Sequence, residues 1–206
     1  MKRLAVVGIV VALAQVAAAD MVISEWMYSG TNGEFIEFTN TGSTSVDMTG
    51  WSFDDKTGVA GTVSLSAFGT VAPGQSVILT DAVATDFATA WGLTNTSIIG
   101  GNTNNIGRED TINLFDASGN VADQLTYGDK TAYPGTVRTQ YASCNIPATD
   151  YGYTVVQSTW VLATVGDAYG SWKSAGGDIG SPGQLPEPLS AAMLLLGGLI
   201  VVQRRR

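Results

Sequence analysis

Side chains able to do chemistry are few in this sequence of 206 residues, and most of them are carboxylates. There is no histidine and a single cysteine, Cys144. Without histidine, Ser-His-Asp and Cys-His catalysis, His-ligated zinc and an imidazole proton switch are all excluded. Cys144 has no partner for an internal disulfide and reads as a small buried hydrophobe, with an intermolecular disulfide or a reactive thiol as the alternative. The remaining candidates are Glu25, Glu34 and Glu37, then the pairs Asp54-Asp55 and Glu109-Asp110. Two acids at a fixed separation across a cleft could hydrolyse a glycosidic bond. Loop acids with backbone carbonyls could hold calcium, which takes about six to eight oxygens. No EF-hand or nonapeptide calcium repeat surrounds any of them. No catalytic residue, metal ligand or cofactor is therefore assigned, and calcium is kept as the one ion to test.

The charge balance narrows the partners. The chain carries 10 basic and 18 acidic residues, a net charge of −8. Residues 20–188 keep 5 of the basic residues and all 18 acids, a net charge of −13. Such a surface repels a phosphate backbone, so nucleic acid is not an expected partner.

The elements that must position these acids read as short strands. Met21–Met27, Glu34–Phe38, Val46–Phe53, Ser76–Thr80, Thr111–Phe115, Val121–Tyr127 and Tyr153–Gln157 are apolar or alternating runs bounded by turn residues. Asp116-Ala117-Ser118-Gly119-Asn120 joins two of them as a hairpin. Pro73-Gly74 suits a type II turn. Ala84–Trp91 is the one expected helix, with Phe87, Ala90 and Trp91 on one face. Gly100–Glu109 reads as a flexible loop and Gly176–Gln184 as a linker. In the run from Val121, Asp123 shares a face with apolar neighbours and should need backbone donors. Gly50 should let Trp51 pack inward. Trp160, Tyr169 and Trp172 lie in an irregular late region, where aromatic stacking on a carbohydrate is the alternative to core packing.

The two ends have their own logic. Lys2-Arg3, the apolar run Leu4–Ala14 and the small residues Ala17-Ala18-Ala19 form a charged region, an apolar region and an A-x-A cleavage site. Cleavage after Ala19, read through Ala17 and Ala19, would leave Asp20 first. At the other end stand Pro186-Glu187-Pro188, the apolar run Leu189–Val202 and Arg204-Arg205-Arg206. As a helix, the 14 apolar residues rise about 21 Å against a hydrocarbon core of about 30 Å. The arginines would hold their end on the cytoplasmic side. This order resembles the PEP-CTERM protein-sorting signal of Gram-negative bacteria. The resemblance implies recognition by a membrane-embedded exosortase and removal of the tag; a plain tail anchor is the alternative.

A second resemblance covers the body. Ile23-Ser24-Glu25, Gly33-Glu34-Phe35-Ile36-Glu37-Phe38, Asn40-Thr41-Gly42, Val46–Phe53 and Val71-Ala72-Pro73-Gly74 follow in order. Ile112-Asn113-Leu114-Phe115, Val121–Gly128 and Gly180-Ser181-Pro182-Gly183 continue the series. The ordered set resembles the lamin tail domain. That resemblance implies an all-β, immunoglobulin-like β-sandwich and a binding or architectural role, and no reaction. The stretch from Asp129 to Trp172 departs from the family pattern.

The expected organisation is a signal peptide over residues 1–19, a sandwich over 20–183 and a linker with a sorting segment over 184–206. A signal helix and an apolar helix would flank the sandwich. The expected function is that of an exported, non-catalytic surface or extracellular-matrix protein. Its partners would be the export machinery, an exosortase, and exopolysaccharide or other surface proteins. A carbohydrate- or calcium-binding module and a hydrolase with an acidic cleft are the alternatives.

Overall fold

A computed structural model describes residues 21–128, 138–151 and 160–184. The expected signal segment, the sorting motif and the run Tyr153–Gln157 lie outside the described residues. No helix among the described residues is long and apolar enough to cross a membrane.

Among the described residues, fourteen strands and one α-helix follow one another. They begin with β1 (Met21–Met27), β2 (Phe35–Asn40), β3 (Val46–Asp47), β4 (Ser52–Asp54) and β5 (Val63–Ser64). Next come β6 (Thr70–Val71), β7 (Ser76–Thr80), α1 (Ala84–Trp91), β8 (Ser97–Ile99), β9 (Asp110–Phe115) and β10 (Val121–Tyr127). The last four are β11 (Cys144–Asn145), β12 (Val161–Leu162), β13 (Trp172–Lys173) and β14 (Ile179–Gly180). One sheet has the order β12-β11-β1-β2-β7-β8 and the other β10-β9-β4-β5. Pairing is antiparallel except between β7 and β8, which run parallel because α1 carries the chain back between them.

The core lies between these two sheets. Met21, Ile23, Trp26, Ile36, Phe38, Val77 and Leu79 face it from the large sheet. Phe53, Ile112, Leu114, Leu125 and Tyr127 face it from the small one. The Trp26 ring stacks on Tyr127 at a centroid distance of 3.9 Å, and Trp160 meets Trp26 edge-on at 6.0 Å. The Tyr127 hydroxyl donates to the Gly107 carbonyl at 2.6 Å, which settles the polar end of a buried ring.

Local chemistry explains most element boundaries. Asp116 Oδ1 accepts from the amides of Ser118 and Asn120, and Gly119 takes φ of 80°, closing the β9–β10 hairpin. The Gln75 amide donates to the Ala72 carbonyl across Pro73-Gly74, and Gly74 has φ of 73°, as a type II turn requires. Helix α1 stops at Gly92, whose left-handed backbone lets Leu93 N–H reach Ala88 O at 2.8 Å and Gly92 N–H reach Thr89 O.

Four expectations need correction. The run Val46–Phe53 is broken into β3 and β4, because Gly50 takes φ of 82° between them. Trp51 is half-buried against the edge of the core, and the indoles buried within it are Trp26 and Trp160. Gly100–Glu109 is pinned rather than loose. Asn102 N–H donates to Thr80 O, Ile106 N–H to Glu34 Oε1, and the Asn104 carboxamide to Asp54. Gly176–Gln184 is no linker either. Its Asp178 and Ser181 are buried, and the segment packs on the outer face of the large sheet.

Candidate functional site

Acids gather in three places, two of which hold acids singled out from the sequence. Glu25 and Glu37 come together on the outer face of the large sheet. They are direct cross-strand partners in the β1–β2 pair, and the register shifts between Ile23 and Glu25, leaving Ser24 as an extra residue. Like charges placed opposite one another on a sheet repel. Both side chains are also about 1 % exposed. Burial, reinforced for Glu25 by Glu37, pushes both carboxyls well above the usual range.

Hydroxyls and backbone amides surround this pair. Ser24 Oγ donates to Glu37 Oε1 at 2.7 Å, and Thr39 Oγ1 lies 2.7 Å from both Ser24 Oγ and Ser76 Oγ. Ser143 Oγ and the Ser181 amide donate to Glu25 Oε1. The Gly183 amide donates to Glu37 Oε2. The residues after β14 thus lie over the two glutamates as a strap. Glu25 Oε2 has no hydrogen-bond partner, nor has Asn145 Nδ2 on the neighbouring strand β11.

The second place is an open cleft of about 460 Å³ between the β1–β2 turn and the start of α1. Gly30, Thr31, Asn32 and Gly33 form one wall, and Asp81, Asp86 and Phe87 the other. Asp178 holds the turn from below, accepting from the amides of Thr31 at 2.9 Å and Asn32 at 2.8 Å. Asp81 Oδ1 accepts from Glu34 N–H at 2.9 Å.

The third place gathers Glu34, Asp54 and Asp110 at one end of the sandwich. Burial raises Glu34 to about 8, against the donating amide of Ile106. Asp110 accepts from the amides of Lys56, Gly107 and Thr111. Burial pulls Asp54 upward, but Thr57, Val59, Asn104 and Asp55 donate to it and hold it below the usual range. Asp55 itself caps a turn through Thr57 N–H. Asp123 does what its sequence position demanded. It accepts from the amides of Ile23 and Gln124, both at 2.8 Å, while burial raises it to about 6.

These acids are acceptors for loop backbone. No group of three His, Cys, Asp or Glu side chains converges on a metal position among the described residues. Cys144 is buried with a free thiol, which burial pushes up. Trp160 is buried, and Trp172 meets Trp91 edge-on at 86° rather than lying coplanar with it. The sequence singled out Glu25 and Glu37 but not Ser143, Asn145 or Ser181 as their neighbours. The register of β1 with β11 and the return of the strap bring those three in.

Two packed sheets of mostly antiparallel strands, with one short helix on the outside, define a β-sandwich of the immunoglobulin-like class. The family model of the lamin tail domain matches residues 14–129, more than half of the chain, and the chain belongs to that family. The match starts within the segment expected to be a signal peptide and ends just after β10. Comparisons with curated proteins and with solved structures give no match. The described residues 138–151 and 160–184, including β11 and the strap, lie beyond the matched span.

Proposed function

We propose that the protein is an exported, non-catalytic structural or interaction module of the cell surface or extracellular matrix. The observation that carries the non-catalytic reading is the use made of the acids. Asp54, Asp110, Asp116, Asp123, Asp167 and Asp178 each accept from two or more groups, most of them backbone amides. A carboxylate so engaged fixes a loop and has little freedom to act on a substrate.

Export is supported by the sequence at the two ends. The signal segment would be cut after Ala19. Pro186-Glu187-Pro188 and the terminal arginines would present the tag to an exosortase, so that the membrane insertion is transient. Exopolysaccharide or other surface proteins are the proposed partners of the delivered sandwich, and its net charge of −13 over residues 20–188 argues against nucleic acid. Cell fractionation with intact-mass measurement tests this. The expected product starts at Asp20, lacks the arginine cluster and is found outside the cytoplasm. A cytoplasmic form retaining Met1 overturns export, and an exported form retaining Arg206 overturns processing.

A second reading, a binding module for carbohydrate or calcium, draws on the open cleft with Asp81 and Asp86 on its wall. A melting temperature that does not move with millimolar calcium or with polysaccharide removes it.

A further inference from the structure

The strap meets the outer face of the sheet at a point where three buried residues, Glu25, Asn145 and Ser181, come together. Ser181 Oγ donates to Asn145 Oδ1 at 3.0 Å. The Ser181 amide donates to Glu25 Oε1 at 2.8 Å, which sets that carboxyl beside the same residue. All three residues are at most 3 % exposed. The close approach depends on Gly180, where a Cβ would lie 2.9 Å from Ser143 Oγ and 3.0 Å from Glu25 Oε1. Two atoms here lack hydrogen bonds, Asn145 Nδ2 and Glu25 Oε2. A buried donor and a buried acceptor left unpaired are each costly, and native folds leave few of them.

We propose that Ser181 and Asn145 condense into an intramolecular ester, with Glu25 as general base and then general acid. Glu25 takes the proton from Ser181 Oγ, and the oxygen forms a bond to Asn145 Cγ. The Cγ–Nδ2 bond then breaks, and the proton held by Glu25 passes to Nδ2, which leaves as ammonia. Atoms balance, and nothing is oxidised or reduced.

Each feature of the site serves this step. A serine hydroxyl is a weak nucleophile until a base adjoins it. Burial raises the proton affinity of Glu25, which suits a group that must first accept and then return a proton. Holding hydroxyl and carboxamide in one fold replaces an encounter in solution. Exclusion of water protects the ester from hydrolysis, while ammonia is lost to the medium. The reaction also removes the unpaired Nδ2. The product would tie the strap to β11 across 36 residues of chain. This inference stands independently of the export reading.

The test is peptide mapping of the purified full chain. Trypsin cuts after Arg138 and Lys173, which puts Asn145 in the peptide 139–173 and Ser181 in the fragment that begins at Ser174. The two are expected as one linked species, lighter than their sum by one ammonia, about 17 Da. Hydroxylamine on the denatured protein should separate them, as it does esters. Ser181→Ala and Glu25→Gln should each yield the two fragments apart, with Asn145 unchanged. Wild-type protein that gives separate, unmodified fragments after prolonged incubation at mildly alkaline pH overturns the proposal, whether or not the variants fold. A linked species in Glu25→Gln at the wild-type rate overturns the role given to Glu25.

Discussion

The two faces of the strands β1, β2 and β7 solve the same burial problem in opposite ways. Their inner face closes on the small sheet with Ile23, Trp26, Ile36, Phe38, Val77 and Leu79. Their outer face is split. Under α1 it is apolar, with Met27, Phe35 and Ile78 meeting Phe87 and Trp91. Under the strap it is polar, with Ser24, Glu37, Thr39 and Ser76 joined by hydrogen bonds and Glu25 beside them held by Ser143 and Ser181. Apolar burial is non-directional and tolerates approximate partners. The polar half depends on particular donors, and three of them, Ser143, Ser181 and Gly183, come from more than 100 positions away. The inner face therefore stabilises the sandwich, whereas the outer polar half specifies where the strap lies.

The largest effect should come from the inner face. Trp26→Ala removes the ring stacked on Tyr127 and edge-packed on Trp160 and leaves a cavity between the sheets. A loss of about 4 kcal/mol is expected in urea unfolding, as for other buried aromatic truncations. A loss below about 1 kcal/mol would mean that the site collapses and that the inner face is not the principal source of stability.

The polar half should be exposed by pH. Glu25, Glu37, Glu34 and Asp123 all hold protons more tightly in the fold than in the unfolded chain. The folded state therefore binds more protons over that range, and stability falls as pH rises. For Glu34 the window runs from 4.5 to about 8, and for Asp123 from 3.8 to about 6. The melting temperature should be highest on the acid side of neutrality and decline through this range. Glu37→Gln, which cannot ionise, should flatten the decline while leaving the acid-side value nearly unchanged. A profile equally steep in wild type and variant would show that the pair does not carry the titration.

How much of this contrast was legible in the sequence follows from which face is involved. Ser76–Thr80 and Ala84–Trp91 were readable to the residue because local periodicity, Pro73-Gly74 and Gly92 bound them. The need of Asp123 for backbone donors was readable from alternation alone. Glu25 and Glu37 were visible as acids on early strands, but their meeting depends on an extra residue at Ser24 that no local pattern marks. The strap was least legible. Glycine, serine and proline between residues 176 and 184 suggest a linker, and only the distant acceptors Glu25 and Glu37 make it part of the fold. The same holds for Gly100–Glu109, whose polar composition hides anchors at Glu34 and Asp54.

The anchoring of the strap can be broken three residues before Ser181 reaches Glu25. Asp178→Ala removes the acceptor for Thr31 and Asn32 N–H, leaving the β1–β2 turn tied to the late segment through Asn32 Oδ1, which accepts from Ser174 and Gly176. A cost of about 2 kcal/mol is expected, because bonds to a charged acceptor are stronger than neutral ones. Hydrogen exchange at Thr31 and Asn32 should accelerate more than exchange in β9, which lies in the other sheet.

The smallest effect belongs to a position that touches neither face. Gly74 sits in the turn after Pro73 with φ of 73°, a conformation open to glycine and strained for alanine. Its amide donates to the Asn40 carbonyl at 2.8 Å, so the turn also fixes how β2 and β7 enter the sheet. Gly74→Ala should cost about 1 kcal/mol, through backbone strain alone. Because the substitution leaves every side chain of both faces in place, the pH profile should keep its shape and shift down as a whole. If Gly74→Ala instead steepens the decline with pH, turn geometry and glutamate pairing are coupled through the β2–β7 register. The outer face would then depend on the same strand alignment as the core.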